Sequence, residues 1–479
     1  MSQETRPNII VVMTDTLRTA YLGCYGNEAI RTPKIDAFAE QSVKFTRAYP
    51  ESLPTIPVRR AIHTGRRAFP FRDYAPVPWD IVYLPGWQPL GRGEDCLAER
   101  LADAGYHTGF VTDTLPCFAP GFNFQRGFWQ WEYIRGMQQD RWRSVNTVIG
   151  KQMADYLEYI SPEGRVPPPQ LYAHVPYHIA NTADRLHEQD FCTARTFQWA
   201  MDFLEDNRNA GPFYLYVDSF APHEPWEAPP MYYERYADGT YDGPTVLHVR
   251  YTTRQEQGLD EAATANIIAH YSGLVSLTDA WFGMLLDKLD RLGLADNTMV
   301  VFTSDHGTNF GDNPFDIIGK PAHSLWPGVM HLPLLVRMPG QLGAGKVVDE
   351  LVYNLDISAT VCDLAGIGAG QGLDGQSLLP LSGGEGEWQP RQYVTSRYNN
   401  ALCYIDDEVW IRTDTDRELG EAFAVKSDPL CQKDISDELD EAVFAAAWER
   451  ILADAGGELP VYDMERLTDA VGQSPERRK

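Results

Sequence analysis

Asn8-Ile9-Ile10-Val11-Val12-Met13-Thr14-Asp15 is a short, nearly continuous apolar run, rich in β-branched residues, that ends in polar groups. Such a run reads as a strand buried on both faces, the kind found in parallel sheets, with Asp15 at its carboxyl end. Outward from it the same unit recurs. The periodicity predicts a helix over 33–41, and a helix over 97–104 feeding His107-Thr108-Gly109-Phe110-Val111-Thr112. A helix over 194–207 feeds Phe213-Tyr214-Leu215-Tyr216-Val217, and a long one over 265–292 feeds Thr298-Met299-Val300-Val301-Phe302-Thr303. Helices alternating with apolar strands imply an α/β fold, a large and mostly parallel sheet sandwiched by helices. Ligands in such sheets sit at the carboxyl ends of the strands, where these polar residues fall.

Two stretches interrupt the rhythm. Residues 68–94 and 226–258 are rich in Pro, Gly, Tyr and Trp and read as long excursions that shape a pocket. Leu381-Ser382-Gly383-Gly384-Glu385-Gly386 reads as a boundary, giving a catalytic α/β domain over 1–380 and a smaller C-terminal lobe over 387–479. Strand-like runs over 392–397, 401–405 and 409–412, then a helix over 437–455, predict that lobe to be antiparallel α+β.

The 479 residues carry a formal charge of −26, which argues against a nucleic-acid partner or an anionic membrane surface. A hydrophobic fraction of 43% excludes disorder as the main state. Seven scattered cysteines, odd in number and without a CxxC pair, point to free thiols in a reducing compartment. No basic leader with a long apolar core is visible, and no run of about 18 apolar residues offers a membrane span, so the expected location is the cytoplasm. A homo-oligomer is left open.

Three patterns carry candidate chemistry. Asp15 ends the first strand. Asp305-His306-Gly307 ends another and offers a hard oxygen and an imidazole to one cation. In Ser52-Leu53-Pro54-Thr55-Ile56-Pro57-Val58-Arg59, prolines hold the chain ahead of a helix start expected near Val58. A hydroxyl one turn before an Arg at a helix N-terminus suits attack on a tetrahedral anion, because helix dipole and guanidinium both favour the oxyanion. Singly, each pattern also has a plain reading as a cap or a surface residue.

In order along the chain, these elements resemble the sulfatases of the alkaline phosphatase superfamily. The opening pattern is matched by Pro7 through Asp15, Leu22-Gly23-Cys24-Tyr25-Gly26 and Thr32-Pro33-Lys34-Ile35-Asp36. The Cys/Ser-x-Pro-x-Arg signature and its Thr-Gly-Arg are matched by Thr55-Ile56-Pro57-Val58-Arg59 and Thr64-Gly65-Arg66. Pro222-His223-Glu224-Pro225, Asp305-His306-Gly307, Gly319-Lys320 and Ser427-Asp428-Pro429 continue the resemblance over nearly the whole chain.

Two departures matter. Thr55 stands where most sulfatases make formylglycine from Cys or Ser, and threonine cannot become that aldehyde. The Lys-x-His that many sulfatases carry after the strand near residue 110 is replaced by Thr112-Asp113-Thr114, which removes two cationic contacts to the transferred group. His306, where calcium-dependent members often have Asn, agrees better with the phosphonate monoester and phosphodiester hydrolases of the superfamily.

By resemblance, Asp15, Thr55, Asp305 and His306 hold one divalent metal, with Mn, Zn or Fe favoured over Ca. Thr16 takes the place of a second Asp ligand. Arg59 orients Thr55 and the substrate oxyanion, and His223 contacts a transferred oxygen or acts as acid or base. Lys320 or His323 protonates or polarises the leaving group. Thr112, Asp113 and Thr114 donate to the substrate or, through Asp113, recognise a cationic headgroup. Asp218 with His223 is a weaker candidate for a second metal, since the usual Asp-x-x-x-His spacing is absent. Trp79, Trp87, Trp129, Trp131 and Trp226 read as packing or as an aromatic recess for the leaving group. The resemblance implies a hydrolase of small anionic esters, leaning to phosphodiesters or phosphonate monoesters. A sulfuric ester hydrolase, a phosphoryl transferase and a non-catalytic anion-binding protein are the alternatives.

Overall fold

The computed structural model describes residues 6–463 apart from 78–79, 81, 139, 149–154, 159–173 and 368–371. Trp79 lies outside the described residues. Strand Asn8–Thr14 is at the centre of a nine-stranded sheet, fully buried along its length. Ile9, Val11 and Met13 face one hydrophobic core, whereas Ile10 and Val12 face the other, which is why the run shows no polar alternation. Its parallel neighbours are Thr298–Ser304 on one side and Phe213–Ser219 on the other, followed by His107–Thr112 and Gln130–Tyr133.

On the far side the sheet becomes mixed. Leu332–Arg337 runs antiparallel to both Thr298–Ser304 and Val43–Tyr49, and the short strands Val347–Val348 and Val352–Tyr353 then pair in parallel with Val43–Tyr49. The sheet is thus mostly parallel with an antiparallel insertion. Helices Pro33–Glu40, Cys192–Asn207 and Glu261–Arg291 cover one face. Glu261–Arg291 starts four residues earlier than the apolar pattern predicts, because Asp260 caps it by accepting from Ala263 N at 2.7 Å. Helices Thr55–Thr64, Leu97–Asp103 and Asp356–Leu364 cover the other face.

Near the C-terminus, Val394–Tyr398, Ala401–Ile405, Val409–Asp414 and Gly420–Ala424 form a four-stranded antiparallel sheet, one strand more than predicted. Cys403, Ile405, Trp410 and Phe423 on one face join the core of the large sheet. Leu402, Tyr404 and Ile411 on the other pack against Ala447 and Ile451 of helix Glu441–Asp454. No helix among the described residues is long and apolar enough to cross a membrane.

Candidate active site

Four adjacent strands deliver their carboxyl ends to one place. Thr14 is in register with Ser304 on one side and Ser219 on the other, and Thr112 with Asp218. Asp15, Asp305-His306, Asp218 and Thr112-Asp113-Thr114 are therefore neighbours despite their separation in sequence. Backbone bonds carry the ladder one residue further, Asp15 N donating to Ser219 O and Asp305 N to Thr14 O, each at 3.1 Å. All these side chains are buried.

Helix Thr55–Thr64 points its N-terminus at this cluster. It begins at Thr55, three residues before the predicted start: Pro57 is tolerated inside the first turn, where an N–H would have no intrahelical partner. Thr55 Oγ1 lies 3.4 Å from His306 Nε2.

Asp15, Asp305 and His306 offer three ligand atoms, all within 4.8 Å of one another. His306 Nδ1 donates to Gly307 O at 2.9 Å, which leaves the Nε2 lone pair for the site. Burial lowers that imidazole to about 3, so the ring is neutral. Asp305 Oδ1 accepts from Thr16 N at 3.0 Å and His306 N at 2.7 Å, the pattern of an ionised carboxylate. Burial and the nearby Asp305 push the Asp15 carboxyl well above the usual range. Asp15 Oδ2 accepts no hydrogen bond, although Arg59 Nη2 is 3.2 Å away.

Arg59 is wholly buried and held from three sides. Its Nε and Nη2 donate to Asp218 at 3.0 and 2.8 Å, and Nη1 donates to Asp305 Oδ2 at 2.5 Å and to Thr55 O at 3.2 Å. Asp218 also accepts from Thr112 Oγ1 at 3.0 Å, and Thr114 Oγ1 accepts from Arg59 Nη2 at 3.4 Å. Thr112 and Thr114 are thus bound to the Arg59–Asp218 pair. Asp113 accepts from Phe220 N at 2.7 Å, and burial raises its carboxyl to about 7.

His223 Nδ1 faces Glu224, 2.8 Å from its backbone O and 2.9 Å from Oε2, while Nε2 turns toward Asp15 Oδ1 at 4.0 Å. Those acceptors place the ring proton on Nδ1, and burial lowers the imidazole pKa, so Nε2 is a free base. Lys320 Nζ donates to Thr16 Oγ1 at 3.1 Å and stands 3.4 Å from Glu224 Oε2, which also accepts on Oε1 from Tyr251 OH at 2.9 Å. Gly319 lets this loop approach Tyr251, since its φ is +85° and a Cβ would meet the ring at 2.2 Å. His323 is exposed, its ring against Trp326 at 6.0 Å and its carbonyl accepting from Arg412. The tryptophans do not build one recess: Trp87 and Trp226 belong to different cores, and Trp129 and Trp131 are exposed.

Around the threonine, four buried carboxylates (Asp15, Asp218, Asp305 and Glu224) face two buried cations, Arg59 and Lys320. With all four ionised the site would carry a surplus of two buried negative charges, a cost that shows as the raised Asp15 carboxyl. One divalent cation at the Asp15, Asp305 and His306 atoms would balance that surplus and give Asp15 Oδ2, which accepts no hydrogen bond, a closer partner, so the residues fit such an ion. Sequence reasoning missed Glu224, and it read Asp218 as a weaker candidate for a second metal and not as a partner of Arg59. Glu224 holds His223 and Lys320 together, and Asp218 clamps Arg59. The signal for Asp218 was its place at a buried strand end, beside a threonine-lined strand that had lost its cations.

The profile of the family described as Sulfatase matches residues 7–367, and one described as N-sulphoglucosamine sulphohydrolase, C-terminal, matches 324–440. The ulvan-active sulfatase of Formosa agariphila is 25% identical over 79% of this chain, which spans 65% of that protein. The arylsulfatase of Clostridium perfringens is 26% identical, with 78% of each chain covered. Among solved structures, the phosphonate monoester hydrolase of Agrobacterium radiobacter superposes with a TM-score of 0.70 at 21% identity, over 94% of this chain and 95% of that one.

Proposed function

The chain belongs to the sulfatase family of ester hydrolases, and on that premise we propose that it hydrolyses small phosphodiesters or phosphonate monoesters with Thr55 as nucleophile and one divalent cation as cofactor. The observation that carries this reading is the Thr55 hydroxyl at a helix N-terminus, 3.4 Å from His306 in the carboxylate–imidazole cluster. A threonine cannot supply the aldehyde hydrate that releases sulfate by elimination, so its ester must be cleaved by a second in-line attack from water or another acceptor. The name of the Agrobacterium radiobacter neighbour is in keeping with that chemistry.

A divalent cation held by Asp15, Asp305 and His306 supplies positive charge that favours the Thr55 alkoxide and the developing oxyanion. Mn, Zn or Fe suits this mixed oxygen and nitrogen set better than Ca. In the first step Thr55 loses its hydroxyl proton to solvent and Oγ1 bonds to phosphorus while the bond to the alcohol oxygen breaks. Lys320 gives that oxygen a proton, with Glu224 and Thr16 fixing the direction of its Nζ. In the second step water attacks phosphorus and passes a proton to His223 Nε2, the threonine oxygen leaves and takes that proton from His223, and Lys320 regains its own from solvent. Arg59, clamped by Asp218, fixes the Thr55 carbonyl and Asp305 and so orients the nucleophile. We assign catalysis to residues 1–380 and propose 387–479 as a C-terminal lobe, whose strands Val394–Tyr398 through Gly420–Ala424 pack on the large core. The seven free cysteines support a cytoplasmic location.

Sulfate ester hydrolysis is the second reading, favoured by the sulfatase names of the relatives. The test is kcat/KM for an aryl phosphodiester, phosphonate monoester, phosphate monoester and sulfate, with Mn or Zn and after chelation. The proposal expects the diester or phosphonate to lead and chelation to abolish it. A leading sulfate overturns it.

A further inference from the structure

His223 also lines a cavity of about 180 Å³ formed by residues 135–137 and Trp142, the segment 178–185, loop 221–227 and the first turn of helix Cys192–Asn207. We propose that this cavity receives the leaving alcohol and selects a single-ring alcohol bearing an anionic substituent, with Arg195 as the group that recognises the anion. The inference rests on the reading of His223 as part of the hydrolytic site.

Size argues for one ring. A cavity of about 150 Å³ accommodates benzene, whereas pockets for drug-sized ligands start at about 300 Å³. The apolar part of the lining, Met137, Trp142, Phe191 and Leu274, suits a ring.

Charge argues for an anion on that ring. The lining acids are held in place: Asp184 binds Arg143, Glu227 binds His178 and Arg185, and Asp190 accepts the amides of Leu186 and His187 and feels the charge of Arg195 without pairing with it. Among the lining cations, Arg135 is consumed by a two-point pair with Asp140. Arg195 alone has no carboxylate within ion-pair distance among the described residues. Its Nη1 donates to Arg135 O at 3.2 Å, and its guanidinium lies 5.7 Å from the Trp142 ring. A guanidinium carries five donors, so capacity remains for a two-point bond to a carboxylate or phosphate. The first turn of helix Cys192–Asn207 lines the same cavity and adds the positive end of its dipole.

The test compares 4-carboxyphenyl with phenyl esters of the same phosphorus group in wild type, Arg195→Gln and Arg195→Lys. We expect the ratio of kcat/KM, carboxylate over neutral, to fall at least tenfold in Arg195→Gln and to be partly restored in Arg195→Lys. The same ratio in wild type and Arg195→Gln overturns the subsite. Tryptophan fluorescence gives a second readout, the affinities of free 4-carboxyphenol and phenol. If no ester turns over yet 4-carboxyphenol binds at least tenfold tighter than phenol in an Arg195-dependent way, the hydrolase reading fails and the subsite stands. If esters turn over with no dependence on Arg195 in either readout, the reverse holds.

Discussion

Replacing Asp218 by Asn should expose how much the clamp on Arg59 contributes. The carboxylate accepts two bonds from Arg59, at 3.0 and 2.8 Å, and one from Thr112, at 3.0 Å, with no solvent access. The amide keeps one acceptor but turns an N–H₂ toward a donor. Breaking one partner of a buried pair costs about 3–5 kcal/mol, and Arg59 retains Asp305 at 2.5 Å and Asp15 at 3.2 Å, so the low end, about 3 kcal/mol, applies. Unfolding entropy of about 2.1 cal/mol/K per residue over 479 residues gives about 1 kcal/mol/K, so the midpoint should fall by about 3 °C. Thr112→Val, which removes one bond to the same carboxylate and the bond Thr112 Oγ1 accepts from Thr114 N at 2.9 Å, should cost about 2 kcal/mol and a smaller shift than Asp218→Asn. Scanning calorimetry of both variants in the presence of chelator measures this. A midpoint unchanged in Asp218→Asn, or a larger drop in Thr112→Val, would refute the clamp.

Two further outcomes follow from the same geometry. The Asp113 carboxyl is raised to about 7 by burial, so the folded chain holds a proton there that the unfolded chain releases near 4. That contribution is complete below pH 4 and is lost as pH rises toward 7; the wild-type midpoint should therefore fall more steeply across this window than that of Asp113→Asn, and parallel curves would count against it. Lys320→Met should depress kcat/KM by about 10²-fold or more for alkyl leaving groups and much less for 4-nitrophenol, which needs no proton. A steeper leaving-group dependence in His323→Ala than in Lys320→Met would transfer the role to His323.

Much of this arrangement was legible in the sequence. Asn8–Thr14, Phe213–Ser219 and Thr298–Ser304 are buried on both faces, so their apolar runs stand out, and Asp15 and Asp305-His306 follow at their ends. Val43–Tyr49 was not read as a strand because Lys44, Thr46 and Arg47 interrupt it; its pairing with Leu332–Arg337 is a tertiary contact with no local signal. Glu224 was hidden for another reason. A buried glutamate between His223 and Lys320 is visible as a bridge only when loop 221–227 and the strand Ile317–Gly319 are seen together. Arg59 was expected at the substrate, yet its guanidinium is engaged by Asp15, Asp218 and Asp305, because Asp218 comes from a strand whose register only the sheet reveals.

The proposed mechanism turns on the Thr55 oxygen. The most direct measurement is acid quench of His223→Ala, in which release by water is slowed, during turnover of an aryl phosphonate monoester, followed by mass analysis of the peptide carrying residue 55. The account predicts a phosphonyl ester on Thr55 that is absent from Thr55→Ala, a variant inactive toward the same substrate. An unmodified Thr55 peptide while aryl alcohol is released, or turnover by Thr55→Ala within tenfold of wild type, would contradict it.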